Sequence, residues 1–273
     1  MKRHTLEVAG KTDPGCVRER NEDSLAINAD IGLLVVADGM GGHNSGEVAS
    51  SLATATVGDF VRQMIGGVRE VVPEGDPRQS VRAKQLVHCV RGANTIIYEK
   101  ARAFPRDHGM GTTIVDAVVE EKTVTVAHVG DSRFYVLRNG LLQRLTEDHS
   151  LVMDQVKHGL ITAEQADHHH LQNILTRALG TEERVEVDVA DHPVLPGDVF
   201  QLCTDGLTKE MPEADVAKVL VEMKSAQEAV DRLIAGARNG GGGDNITVVV
   251  ARQVPASSGV KAFFTHLFKK PGE

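Results

Sequence analysis

Five short segments place an aspartate beside glycine or at the end of an apolar run: "RNEDS" (20–24), "ADGMGG" (37–42), "HVGDSR" (128–133), "CTDGL" (203–207) and "GGGDNIT" (241–247). A single Asp-Gly pair is a common turn and needs no further reason. Several carboxylates that each follow a buried strand are a different matter, because the strand ends of one sheet pair converge on a single pocket. Charges crowded into a half-buried site repel one another or must hold protons. Divalent cations relieve that repulsion. Oxygen donors without Cys or well-spaced His suit Mg2+ or Mn2+ rather than zinc. The glycine after Asp38 would then let a backbone carbonyl and a hydration shell reach the ion. Arg18, in "VRERNED", lies four residues before Glu22 and five before Asp23. Its bland explanation is a surface ion pair; beside metals it would grip a phosphate with a two-pronged contact.

Elements able to carry these acids are visible in the pattern of apolar residues. Runs rich in Val, Ile and Thr at 33–37, 113–119, 123–129, 133–137, 198–203 and 246–251 read as strands. "VEEKTV" and "LRNGLL" read as hairpin connections, the second through an Asn-Gly pair, which implies a mainly antiparallel sheet. Helical periodicity occupies 46–65, 80–103 and 225–237. Sheets covered by helices on their outer faces satisfy every apolar side. The tail "VKAFFTHLFKKPGE" puts Val260, Phe263, Phe264, Leu267 and Phe268 on one helical face beside Lys261, Lys269 and Lys270. Docking on the body is the structural reading of this tail, and contact with a partner or membrane surface the functional one.

With 273 residues, 41% hydrophobic and 25% charged, the chain can bury a sizeable core. A net charge of −8 and only two tyrosines, with no tryptophan, argue against nucleic-acid binding. The start "MKRHTLEVAG" lacks the apolar stretch of a signal peptide, and no apolar run suits a membrane span, so a cytoplasmic protein without stable membrane insertion is expected. Cys16, Cys89 and Cys203 have no CxxC spacing and read as reduced, mostly buried residues.

The ordered series "GCVRERNEDS", "VVADGMGGHNSGEVAS", "GMGTTIV", "AHVGDSRFYVL", "LTEDHSLV", "ILTRALG", "LCTDGLTKEM" and "GGGDNITVVV" resembles the PPM-type, or type 2C, metal-dependent serine/threonine protein phosphatases of the bacterial branch. Each motif alone is weak, but their order over about residues 5–252 is specific. The resemblance implies an α+β fold of two packed antiparallel β-sheets flanked on both outer faces by antiparallel helix pairs, an αββα sandwich. It implies a catalytic domain at 5–252 with a flap at about 146–180, and a linker and short basic amphipathic tail at 253–273. It assigns two ions of Mn2+ or Mg2+ per site, and in bacterial members a third. Asp38 would bridge two ions, Gly39 would give its carbonyl to the second, and Asp205 and Asp244 would hold the first. Asp131 would take the third with help from Asp205, Glu22 and Asp23 would bond metal-bound waters, and Arg18 would bind the substrate phosphate.

The implied reaction is hydrolysis of phosphoserine and phosphothreonine by a water between the metals, in a monomer that opposes a bacterial Ser/Thr kinase and acts on its phosphorylated targets. Met40 stands where some relatives outside bacteria carry a His proposed to protonate the leaving alkoxide, so a metal-bound water or His43 is expected to serve instead. Thr146 and Asp148 read as capping or loop residues, and Asn173 and Arg177 as braces of the flap, with substrate contact the functional alternative for Arg177. "ADHHHLQN" (166–173) is more flap than metal site, and "GMGTTIV" lacks the GK[ST] ending of a nucleotide loop.

Overall fold

The computed structural model describes residues 4–41, 45–65, 74–167 and 169–255. Among these, every strand pairing is antiparallel. One sheet contains, in spatial order, β1 (His4–Asp13), β11 (Ile246–Pro255), β10 (Val199–Cys203), β7 (Arg133–Arg138) and β8 (Leu141–Arg144). The other runs β2 (Asp23–Asn28), β3 (Leu33–Met40), β5 (Ile114–Val119), β6 (Thr123–Val129) and β9 (Asp188–Pro193), with the short β4 (Gly111–Thr112) against β3. The long helices α1 (Ser45–Ile65) and α2 (Val81–Ala103) join β3 to β4. Two short helices, α3 (Leu151–Lys157) and α4 (Ala163–Asp167), lie between β8 and β9. After β10 come α5 (Asp205–Thr208), α6 (Glu213–Glu222) and α7 (Ala226–Gly240).

Side-chain alternation along β3 builds the layers. Leu33, Val35 and Ala37 pack with Ala49, Ala53 and Val57 of α1 and Leu86, Val90 and Ile97 of α2. Leu34 and Val36 point the other way and meet Phe134, Phe200, Leu202 and Val249 of the opposite sheet. That period of two is what allows one strand to serve both interfaces. The second sheet does likewise: Tyr135, Val248 and Val250 face Val216, Leu220, Val230 and Leu233 of α6 and α7. Each such fully buried aliphatic side chain contributes roughly 1.5–3 kcal/mol. The layers are therefore helices, sheet, sheet, helices, as expected.

Local chemistry fixes the boundaries. Ser80 and Ser225 cap α2 and α7 through their hydroxyl oxygens, which accept from the amides of Ala83 and Glu228. The β7–β8 hairpin turns through Asn139 and Gly140 at φ 52° and 78°, the left-handed pair an Asn-Gly turn requires. Strand β11 continues to Pro255 along β1, while the expected tail helix and His43 lie outside the described residues. Cys89 and Cys203 are buried, Cys16 is exposed, and all three are free thiols.

Candidate metal centre

The acids meet at one end of the sandwich. Asp38 lies two residues before the end of β3, Asp131 follows β6, Asp205 follows β10, and Asp244 precedes β11. Antiparallel pairing puts Asp23, the first residue of β2, directly opposite Asp38. Arg18, Glu22, Asp38, Gly39, Asp131, Asp205 and Asp244 all line one cavity of about 500 Å3, together with Met40, Asn173, Lys209 and Asn245. Asp23 sits behind this wall, buried at 7% exposure. All eight residues singled out from the sequence are thus brought together.

Threonines hold the acids in place. The Asp38 amide donates to Thr113 Oγ1 at 3.0 Å, and the Asp38 carbonyl accepts from the Thr112 hydroxyl at 2.8 Å. Asp23 Oδ2 accepts from the hydroxyls of Thr204 and Thr247 at 2.9 and 2.7 Å. Asn245 pins the N-terminal loop: its Oδ1 accepts from the Glu22 amide, and its Nδ2 donates to the carbonyls of Pro14 and Arg20. A strand threonine carries no sequence signal of its own; Asn245 stands in the "GGGDNIT" segment, but its grip on the N-terminal loop shows only in the fold.

The glycine after Asp38 has a reason different from the one its sequence suggested. A Cβ at Gly39 would lie 2.1 Å from the Gly46 carbonyl and 2.5 Å from the Glu22 carbonyl. Its bareness admits the first turn of α1 and the Glu22 backbone, to which its amide donates at 3.0 Å. Packing, more than room for an ion, forbids a side chain there.

The electrostatics of the cluster are those of acids waiting for a cation. Burial pushes Asp38 well above the usual carboxylate range, and Asp23, Asp205, Asp131 and Asp244 add to the shift. Burial drives Asp23 up to about 7 despite its two threonine donors. Asp131 reaches about 7 through burial and then the Asp205 charge. Glu22 is raised by burial. Asp23 Oδ1 and Asp205 Oδ1 are buried with no hydrogen-bond partner among the described residues. Lone pairs that are desolvated, unpartnered and crowded with like charge fit a dication and disfavour an empty hydrogen-bonded role.

Among the described residues, Arg18 and Lys209 form ion pairs with these acids, and Arg20 also lines the cavity. Arg18 Nε lies 3.0 Å from Asp244 Oδ1. Lys209, which the sequence reading passed over, bridges Asp205 Oδ2 at 2.5 Å and Asp244 Oδ2 at 3.3 Å. Burial works against the Lys209 ammonium, but the two carboxylates outweigh it and raise its pKa. Thr146 and Asp148 are structural, as expected: Thr146 accepts from the Phe134 amide, and Asp148 pairs with Arg133. Arg177 braces through Asp188 at 2.7 Å, whereas Asn173 reaches the cavity wall. In the His tract, the His169 and His170 rings stack on each other at 4.5 Å.

The family profile described as Protein phosphatase 2C matches residues 17–235. A serine/threonine phosphatase (stp) of Listeria innocua is 38% identical over 246 residues, covering 89% of this chain and 94% of its own. The serine/threonine phosphatase Stp1 of Staphylococcus aureus superposes with a TM-score of 0.80 at 33% identity, over 92% of this chain and 97% of its own. The catalytic domain of the phosphatase PstP, solved in complex with two manganese ions, gives a TM-score of 0.78 at 35% identity, over 92% and 100% of the two chains. With the matched profile spanning most of its length and the acids gathered at one sandwich end, the chain belongs to the protein phosphatase 2C family.

Proposed function

We propose that this chain hydrolyses phosphoserine and phosphothreonine in proteins with Mn2+ or Mg2+, through a catalytic domain at 5–252 and a flap at about 146–180 beside the cavity. The observation that carries this reading is the convergence of Asp38, Asp131, Asp205, Asp244 and Glu22 on one cavity with Arg18 in its wall. Asp38, Asp205 and Asp244 would hold a first ion, Asp38 and the Gly39 carbonyl a second, and Asp131 with Asp205 a third. Glu22 and Asp23 would accept hydrogen bonds from the ions' waters. When bound, the ions supply charge neutralisation and an acidified water suited to in-line attack on phosphorus.

The chain's own residues do the rest. Arg18, which pairs with Asp244 at the cavity wall, would grip the phosphoryl oxygens, where a planar fork fits better than a point charge. Thr112 and Thr113 fix the Asp38 backbone, and so the point from which its carboxylate projects into the cavity. Met40 lines the cavity and has no proton to give, so the leaving alkoxide takes its proton from another group.

The test is phosphate release from a phosphoserine peptide. Mn2+ should restore it after chelation, EDTA should abolish it, and Asp38→Ala should fold yet lose most turnover. Stoichiometric Mn2+ binding with no hydrolysis of any phosphopeptide would reject the reading in favour of a silent phosphoprotein-binding module. The partner is proposed to be a bacterial Ser/Thr kinase and its phosphorylated targets, with the phosphatase acting as a cytoplasmic monomer. Phosphoproteomics of a strain lacking the protein would name those targets. No helix among the described residues is long and apolar enough to cross a membrane.

A further inference from the structure

A second group of donors lies away from the acidic cavity. His128, His149 and Asp188 each bring one nitrogen or oxygen within 4.8 Å of the others. Such a set would suit a transition metal, but the hydrogen bonds withhold a lone pair. His149 Nδ1 lies 3.1 Å from the Gly130 amide, which only donates, so Nδ1 accepts and the ring proton sits on Nε2. That Nε2–H faces Asp188 Oδ2 at 3.4 Å, beyond a full hydrogen bond, and has no other partner among the described residues. A metal on Nε2 would cost the ring its bond to Gly130. The arrangement is a mechanical one.

Both backbone groups of Gly130 are held by His149. Its ring accepts from the Gly130 amide, and its own amide donates to the Gly130 carbonyl at 3.0 Å. Gly130 has φ +105°, and a Cβ there would meet Thr113 at 2.6 Å, so the turn into Asp131 has little freedom once clamped. On the other side, the His149 carbonyl accepts from the Thr176 amide at 2.9 Å. The next residue, Arg177, pairs at 2.7 Å with the same Asp188 that faces the His149 ring. Asn173 and Leu175, two to four residues before Arg177, belong to the cavity wall. One buried residue, 2% exposed, therefore touches both the backbone before Asp131 and the strip that contributes Asn173 and Leu175 to the same cavity wall.

We propose that His149 is a positioning residue, which sets the Asp131 carboxylate through Gly130 and links it to the 173–177 strip through Thr176, Asp188 and Arg177. This rests on the reading of Asp131 as a metal ligand. Residues that orient a ligand from behind change metal affinity without touching the ion.

The experiment compares Mn2+ binding by calorimetry, and kcat and KM on a phosphopeptide, for wild type, Asp131→Ala, His149→Ala, His149→Asn and Asp188→Asn. Thermal melts confirm folding. His149→Ala should weaken the Asp131-dependent ion about 10- to 100-fold while sparing the ions that depend on Asp38. His149→Asn should recover most of that loss, because its Oδ1 still accepts from the Gly130 amide. Asp188→Asn should weaken the same ion a few-fold and raise KM. If His149→Ala leaves the Asp131-dependent ion unchanged, or His149→Asn does no better than alanine, the proposal is wrong. Should His149→Ala fail to fold, an Asp188→Asn protein that binds every ion like wild type overturns the link to the strip. If Asp131→Ala itself binds all the ions of wild type, the ligand reading of Asp131 fails first, and the proposal with it.

Discussion

Replacing Asp23 by Asn tests whether the buried acids are a burden on the fold. Asp23 is raised from 3.8 to about 7, so the folded chain holds a proton that the unfolded chain has released between those values. Stability is lost as pH rises through that window, since the folded state binds more protons there. A shift of about three units corresponds to roughly 4 kcal/mol at pH 7 and above, a ceiling because Asp23 shares its neighbours with Asp38. Asn removes the ionisation and keeps an oxygen to accept from Thr204 and Thr247. With metal chelated, Asp23→Asn should melt close to wild type near pH 4 and higher by about 8 °C near pH 7.5. Comparing the two proteins at each pH cancels His128, whose burial-lowered pKa works in the opposite direction. Calorimetry across pH 4–8 in EDTA is the assay, and Mn2+ should remove the advantage of the variant. A gain independent of pH, or a loss of stability at pH 7.5, would refute the reasoning.

Other substitutions probe neighbouring parts of the centre. Lys209→Met should lower the melting temperature of chelated protein, because the repulsion of Asp205 and Asp244 loses its counter-charge, and should tighten Mn2+ binding about tenfold, corresponding to about 1.4 kcal/mol. Calorimetric titration reads both. Arg18→Lys should raise KM for a phosphopeptide more than it lowers kcat, since a point charge replaces a two-pronged grip. Asp116 is not part of the cavity lining; it is fully buried on β5, its oxygens have no hydrogen-bond partner among the described residues, and burial pushes its pKa well up. Asp116→Val should therefore stabilise the protein at neutral pH by about 1–3 kcal/mol, as seen in thermal melts, and leave turnover unchanged.

Much of this molecule is legible in its sequence, and the missing parts share a physical cause. Strands β3, β5, β6, β7, β10 and β11 are buried on both faces, so their Val and Ile runs announce them. Strand β9, "DVADHP", is a sheet edge with exposed and half-buried residues and gives no such run. Strands β1 and β2 are mixed in the same way, and α3 and α4 are too short for periodicity to show. The acidic site was readable because carboxylates at strand ends have few structural reasons to recur. Lys209 was not, because a lysine at the close of a short helix reads as solvated surface until the fold turns it onto two aspartates. Likewise the His149 ring looks like part of a loop motif until Gly130 and Asp188, 19 and 39 residues away in sequence, are seen beside it.

The most direct measurement is anomalous diffraction at the manganese edge from crystals grown with excess Mn2+. Peaks are expected inside the cavity, one against Asp38, Asp205 and Asp244 and another against Asp38 and the Gly39 carbonyl. A cavity with no peak, its aspartates still facing one another or held only by Lys209 and Arg18, would contradict the claim that dications are what make this cluster of acids tolerable.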